Sequence, residues 1–241
     1  IEKVAKGLRW GEDAGASAPN KRRGKGIALA WKAPAMPPNA GSSARLQMNE
    51  DGTGTLAIGG QEIGQGSFTV AAQMAAAELG VPHDWIRIAG PVDTQYSPYE
   101  WQTVASRITW SMGNAIKQAA GDAKRQILEV VAEAWDEDIE DLDIVKGLVV
   151  SYKTENETPL QDLVIYGLPN EDFTEWTGGP IVGRGSFMPT YVTGLDPETG
   201  QGERAVVHYT VGAQGLDIEV DLDTGKVEIL KAVAAFDVGN E

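Results

Sequence analysis

The stretch Glu62-Ile63-Gly64-Gln65-Gly66-Ser67 decides how this chain is interpreted, because a glycine-rich loop here leads directly into an alanine-rich segment. Helix-forming residues dominate that segment and predict a helix over residues 67–79. Gly64 and Gly66 carry no Cβ atom, so backbone N–H groups of the loop can come close to a ligand. A helix N-terminus favours an anion, and Ser67 is a suitable N-cap residue. The stretch predicts either an anion-binding loop or plain turn geometry, and its spacing alone favours the turn.

A second segment of this kind is Thr103-Val104-Ala105-Ser106-Arg107, at the start of a helix predicted from about Thr103 to Trp135 with a break at Gly121. Small side chains, a hydroxyl, free backbone N–H groups and one guanidinium suit a phosphate or a polar heterocycle. The alternative is an ordinary first helical turn with Arg107 on the surface, and the residues alone favour that alternative.

The remaining strands and helices alternate without regular βα units, which predicts an α+β fold. We expect a mixed sheet with helices packed on one side. Hairpins are predicted over residues 44–60 and, with a turn at 223–226, over residues 206–238. Residues 1–40 are expected to form a loop-rich linker segment, followed by one domain over residues 41–241.

Two clusters of charge stand out. The basic cluster Lys21, Arg22, Arg23 and Lys25 is interpreted as a solvated loop, with a docking strip as the sharper alternative. In the last hairpin, Asp217, Glu219, Asp221 and Asp223 alternate and therefore share one face of a strand. A solvated sheet face is the default interpretation, and a carboxylate pair for acid–base chemistry is the less favoured one. His208, in the same arm, is interpreted as a structural histidine.

Composition excludes several classes of function. The 241 residues carry a formal net charge of −15, which disfavours nucleic acid or an anionic membrane as the main partner. The chain has no cysteine and only two histidines, so neither thiolate chemistry nor a protein-ligated transition metal is expected. No long apolar run and no signal peptide are visible, so we expect no membrane span and a cytoplasmic protein. Neither end resembles a natural terminus, and we expect a piece of a longer chain.

The order of several motifs resembles the molybdopterin-binding large subunit of the xanthine dehydrogenase/aldehyde oxidase family, which includes aerobic carbon monoxide dehydrogenases. No single motif is specific, but their joint order covers nearly the whole chain, from about Lys21 to Glu241. The motifs are Glu62-Ile63-Gly64-Gln65-Gly66, Glu78-Leu79-Gly80-Val81-Pro82, Asp93-Thr94, Ala105-Ser106-Arg107, Gly113-Asn114-Ala115 and the closing Asp237-Val238-Gly239.

This resemblance implies a molybdenum-cofactor-binding domain over residues 41–241. Members of the family hydroxylate aldehydes, heteroaromatic compounds or CO, with water as the oxygen source. The implied cofactor is molybdenum held by a pterin dithiolene, expected as molybdopterin cytosine dinucleotide. Iron–sulfur clusters and FAD are expected on partner domains or subunits, and the other partners are the remainder of the large subunit and a small-molecule substrate.

The family's motifs also assign site residues to this chain. Gly64, Gln65, Gly66 and Ser67 would hold the pterin or its phosphates. Ala105 and Ser106 would line the cofactor close to molybdenum, with Val104 and Arg107 beside them. No residue of this chain is expected to be catalytic or to ligate the metal. The family's catalytic glutamate lies in a Gly-Val-Gly-Glu motif, which is absent here, as is its Gly-Gly-Gly-Phe-Gly-Gly segment. We therefore expect a cofactor-binding fragment that is inactive alone.

Two other classes of function stay open on the residues alone. A non-catalytic interaction or carbohydrate-binding module would use tryptophans such as Trp101 or Trp176 in an exposed groove. A nucleotide-binding enzyme would use the Gly64–Gly66 loop, but it lacks the lysine of a P-loop and the pattern of parallel βαβ units.

Overall fold

A computed structural model describes residues 1–13, 15–33, 37, 39–169 and 173–239. Among these residues, the α-helices are α1 (Glu2–Leu8), α2 (Ser67–Leu79) and α3 (Ile108–Trp135). The strands are β1 (Lys21–Lys32), β2 (Ser42–Met48), β3 (Gly54–Ile58), β4 (Ile86–Ile88), β5 (Leu142–Val145), β6 (Leu148–Ser151), β7 (Glu157–Pro159), β8 (Leu168–Pro169), β9 (Trp176–Thr177), β10 (Val182–Phe187), β11 (Thr210–Asp221) and β12 (Val227–Phe236). The described helices include none that is long and apolar enough to cross a membrane.

The chain divides into two compact units. One, the central unit, is Met36–Arg204, and the other, the terminal unit, combines Ile1–Ala35 with Ala205–Glu241.

The central unit contains a four-stranded sheet in the order β10-β2-β3-β4. Neighbouring strands are antiparallel except β3 and β4, which are parallel, so the sheet is mixed. Along β2, alternate residues are buried and those between them are exposed or partly exposed, because α2 and α3 cover only one face of the sheet. The predicted α+β fold with helices on one side of a mixed sheet is confirmed, as is the hairpin of β2 and β3.

Strand β10 lies directly on the backbone of α3. A Cβ atom on Gly183 would stand 2.0 Å from the carbonyl oxygen of Ala119, and one on Gly185 would stand 2.1 Å from that of Ala115. Only glycine permits this approach. The predicted break at Gly121 is wrong, since α3 is continuous. A glycine weakens a helix by about 1 kcal/mol, and the buried face around it, which includes Ala119, Ala120 and Ala123, packs against the core and holds the helix together.

The terminal unit is a three-stranded antiparallel sheet in the order β1-β11-β12, with α1 packed on one face. Its small core contains Val4 and Leu8 of α1 and Ala213 of β11. Residues 1–40 are therefore not the predicted loop-rich segment, because they contribute a helix and a strand of twelve residues. The strand forms because it pairs with β11. That partner lies almost two hundred residues later in the chain, so no local pattern predicts the pairing.

The two clusters of charge pair with each other across β1 and β11. Lys21 Nζ lies 2.9 Å from Glu219 Oε1, and the guanidinium of Arg23 donates to both oxygens of Asp217, at 2.8 and 2.6 Å. Both acids are buried, at 3% and 4% exposure. Hydrogen bonds from the Ser17 hydroxyl and N–H, followed by the bond from Lys21, lower the pKa of Glu219 to about 2. The predicted solvated loop is wrong, since these residues lie in a strand, and the solvated acidic face is wrong for Asp217 and Glu219, which form buried ion pairs. Arg22 and Asp223 are exposed, as predicted.

Candidate binding cleft

Two segments of the central unit line a cleft of about 370 Å³. They are the loop that leads into α2 and the segment that leads into α3, each with the start of its helix. The lining residues are Ile63, Gln65, Ser67, Thr103, Val104, Ala105, Ser106, Arg107, Ile108 and Thr109. The backbone N–H of Gln61 donates to Thr103 Oγ1 at 2.8 Å and ties the two segments together. The fold thus brings together the two segments that the sequence singled out separately.

The first wall, which we call the Glu62 loop, is residues 62–67. One oxygen of the Glu62 carboxylate accepts from the N–H groups of Gly64, at 2.7 Å, and Gly66, at 3.0 Å. The other oxygen accepts from the N–H of Phe68, in the first turn of α2, at 3.2 Å. These bonds, the one from Gly66 foremost, lower the pKa of Glu62. The N–H groups that the sequence offers to a bound anion are therefore occupied by a carboxylate of the loop itself.

The N-cap of α2 is Gly66, at φ 80°, and the predicted capping role of Ser67 is wrong. Gly64 has φ 99°, and no described atom lies within 4 Å of the place of a Cβ on either glycine. The glycines are thus required by backbone conformation and not by a close approach of the rest of the chain. Neither belongs to the lining of the cleft, although the residues beside them, Gln65 and Ser67, do.

The side chain of Gln65 folds back on its own loop. Its Nε2 donates to the carbonyl of Gln61 at 2.9 Å and to the hydroxyl of Ser67 at 2.5 Å, and its Oε1 accepts from the N–H of Ile63 at 2.7 Å. All three contacts lie within seven residues of the chain. The Glu62 loop is therefore shaped almost entirely by its own side chains.

The second wall is the turn Ala105–Ser106, where two successive non-glycine residues have positive φ, 55° and 59°. An L-residue in this left-handed conformation costs about 1–2 kcal/mol, and such strain persists only where the surroundings hold it. Helix α3 consequently begins at Ile108, five residues later than predicted, with Arg107 as its N-cap. The side chains of Val104 and Ser106 are exposed beside the cleft.

Arg107 is fully buried, and its guanidinium is directed into the protein. It forms an ion pair with Glu100, whose side chain is 3% exposed, and lies 5.7 Å from the centre of the Trp101 ring. It also donates to three carbonyls and two hydroxyls: Gln102 O at 2.9 Å, Ala40 O at 2.9 Å, Gly41 O at 3.2 Å, Ser42 Oγ at 3.2 Å and Ser111 Oγ at 2.7 Å. The alternative of an exposed Arg107 is wrong, and the guanidinium that the sequence offers to an anion is already bound within the fold.

The other candidates lie outside the residues that line this cleft. His208 is in the terminal unit, where burial and then the charge of Lys32 lower its pKa. The ring of Trp101 is partly buried against Arg107, whereas Trp176 is exposed. The part of the chain that the structure describes contains no group of three or more His, Asp or Glu residues able to hold a metal ion.

Sequence reasoning missed two acidic residues. Glu62 was visible in the loop motif, and an acid two residues before a Gly-x-Gly turn is a usable signal for an internal cap. Glu100 gave no local signal, because its role depends on a guanidinium brought to it by the fold.

Comparison with known proteins identifies relatives that match most of the chain. A family model described as a molybdopterin cofactor-binding domain matches residues 3–241. A putative xanthine dehydrogenase molybdenum-binding subunit from Escherichia coli K12 is 33% identical over 225 residues, which cover 92% of this chain and 27% of that protein. The chain thus spans about a quarter of the length of this relative.

Solved structures share the fold. A Cu,Mo-containing CO dehydrogenase in its carbon monoxide reduced state matches with a TM-score of 0.69 and 21% identity, over 97% of this chain and 28% of the other. Quinoline 2-oxidoreductase from Pseudomonas putida 86 matches with a TM-score of 0.69 and 18% identity, over 99% of this chain and 28% of the other.

Proposed function

Because this chain belongs to the molybdopterin cofactor-binding domain family, we propose that its cleft holds part of a molybdenum–pterin cofactor. The observation that carries the proposal is the convergence of the Glu62 loop and the Ala105–Ser106 turn on one cleft. A volume of about 370 Å³ lies near the lower end of the range of about 300–1,000 Å³ for small-molecule pockets. A cleft of this size suits one portion of a large cofactor.

The donor set fits such a group. Hydroxyls of Ser67, Thr103 and Ser106 and the backbone of the turn offer neutral hydrogen-bonding groups, and the described lining carries no free cationic side chain. We propose that Gln65, Ser67, Val104, Ala105 and Ser106 meet the cofactor, that Gly64 and Gly66 give their loop its shape, and that Arg107 supports the turn. That residues 41–241 form one molybdenum-cofactor-binding domain stays a prediction. That the cofactor is molybdopterin cytosine dinucleotide stays a prediction as well.

When bound, the molybdenum centre supplies the redox chemistry. This chain's own residues bind and orient the pterin and shield it from water, and none of them is proposed as the catalytic base. The whole protein is proposed to hydroxylate an aldehyde, a heteroaromatic compound or CO with oxygen from water. It would pass electrons to iron–sulfur and FAD domains or subunits, in the cytoplasm. The E. coli relative is itself named as a subunit, which supports a multi-subunit assembly.

The test is cofactor loading of the intact parent protein carrying Gly66→Val. Valine at φ 80° forces the loop out of its conformation, so we expect molybdenum and pterin per polypeptide to fall at least tenfold. Gly225→Val is the matched control, because Gly225 also has positive φ, 70°, and open space around it but lies in the turn between β11 and β12. Full loading of Gly66→Val would contradict the proposed site.

A second measurement concerns the separated chain. We expect residues 1–241 to show no hydroxylation of aldehyde, purine or CO substrates, because no catalytic base is assigned within them. Substantial turnover by this chain would contradict that assignment.

A further inference from the structure

The feature that the proposed function leaves unexplained is the buried ion pair of Arg107 and Glu100. Its guanidinium joins three separate pieces of the central unit: the chain entering β2 at residues 40–42, the segment 100–102, and Ser111 in the first turn of α3. Its two terminal nitrogens, Nη1 and Nη2, both have protein partners, so they need no cofactor. Among the described residues, the buried Nε of Arg107 and Oε2 of Glu100 have no hydrogen-bond partner.

Stability alone does not account for a pair of this kind. Burying two charges is unfavourable, and well-packed apolar residues in their place are often as stable or more stable. What an arginine adds is geometry, because its planar fork fixes several acceptors at defined angles. The pair therefore indicates that the backbone at this point of the fold must be held in a defined geometry.

The segment whose geometry must be held is the turn immediately before Arg107. Ala105 and Ser106 both have positive φ without being glycine, and a turn of this kind relaxes unless its two ends are fixed. One end is fixed by the bond from Gln61 N to Thr103 Oγ1. The other end is fixed by Arg107, whose N–H donates to Val104 O at 3.1 Å and whose side chain is anchored in the core.

We propose that Arg107, paired with Glu100, is a positioning residue that holds the Ala105–Ser106 turn in its left-handed conformation and so fixes the wall of the cleft that meets the cofactor. It acts through the turn and does not touch the cofactor. This inference rests on the proposed function, since it assigns a role within the same cleft.

The experiment uses the intact parent protein with Arg107→Met, which keeps an unbranched side chain able to pack in the core and removes the charged fork. Hydrogen exchange of the peptide covering residues 103–107 should rise at least tenfold, and molybdenum and pterin retained after gel filtration should fall about tenfold. Arg23→Met is the matched control, because it breaks a bidentate Arg–Asp pair in the terminal unit. The folded control should retain wild-type cofactor.

A rescue variant separates positioning from general stability. Glycine adopts positive φ without strain. The double variant Arg107→Met, Ala105→Gly should therefore retain at least three times as much cofactor as Arg107→Met alone. A residue that only stabilised the fold would not be rescued in this way. If Arg107→Met does not fold, two milder variants are measured in the same way. Arg107→Lys keeps the positive charge without the fork, and Glu100→Gln keeps the arginine without its counter-charge.

Wild-type cofactor retention in a folded Arg107 variant would overturn the inference, as would cofactor loss without faster exchange at residues 103–107. These failures are distinct from failure of the proposed function. If Gly66→Val loses the cofactor and Arg107→Met keeps it, the cleft stands and the positioning role falls. If both keep it, the cleft itself is wrong.

Discussion

The two walls of the cleft reach similar backbone conformations by opposite means. The Glu62 loop has its positive φ values at glycines, and its N–H groups donate to its own partly exposed carboxylate. The Ala105–Ser106 turn has its positive φ values at residues that resist them, and it depends on a buried guanidinium anchored more than sixty residues away in the sequence. One wall is a local structure, and the other is imposed by the rest of the central unit.

The largest expected difference between the walls concerns their anchoring acids. Glu100→Ala leaves the fully buried guanidinium of Arg107 without its counter-charge, and breaking one side of a buried pair costs about 3–5 kcal/mol. Glu62→Ala should lower the free energy of unfolding far less, because its N–H partners can turn to water. Chemical denaturation of both variants checks the order, and an equal loss of stability would remove the contrast.

A smaller effect with opposite signs is expected at the positive-φ residues. Ala105→Gly relieves backbone strain and should raise the free energy of unfolding by about 1 kcal/mol, after the greater freedom of the unfolded chain is subtracted. Gly66→Ala introduces the same strain and should lower the free energy of unfolding by about 1 kcal/mol. Thermal unfolding of the pair measures both, and two changes of the same sign would contradict this interpretation.

The smallest effect expected is a response of the Glu62 loop to pH. The folded pKa of Glu62 lies below its ordinary value, so its bonds to the loop are fully present above the unfolded pKa of about 4.3. They are lost as the pH falls through the lower, folded value. Hydrogen exchange at residues 63–68, corrected for intrinsic rates, should therefore accelerate below that range, and Glu62→Gln should remove this acceleration. The Ala105–Ser106 turn provides an internal reference.

The contrast also explains what the sequence could predict. The Glu62 loop, α2 and the hairpin of β2 and β3 depend on neighbours in the chain, and all three were predictable from spacing and composition. The predicted start of α3 is wrong because the sequence Thr103–Arg107 contains no signal that Ala105 and Ser106 adopt a left-handed backbone conformation. Their conformation follows from Arg107 reaching the residues at the start of β2.

Strand β1 was missed for a related reason. Its charges resemble those of a solvated loop when they are considered alone, and their partners lie at the other end of the chain. A signal did exist, because basic residues at positions 21, 23 and 25 alternate in step with acidic residues at 217, 219 and 221. Complementary alternation in two distant segments is evidence for pairing that periodicity within one segment cannot supply.

The division of the terminal unit between the two ends of the chain has a consequence for synthesis on the ribosome. Strand β1 ends at Lys32 and is made well before its partner β11, which begins only at Thr210. At about 5–20 residues per second, β1 waits on the order of 10–40 s for β11 to be made. An unpaired strand is a site of aggregation, and lysine or arginine side chains are a common protection. Lys21, Arg22, Arg23 and Lys25 would thus keep the nascent strand in solution until two of them, Lys21 and Arg23, are neutralised by Glu219 and Asp217.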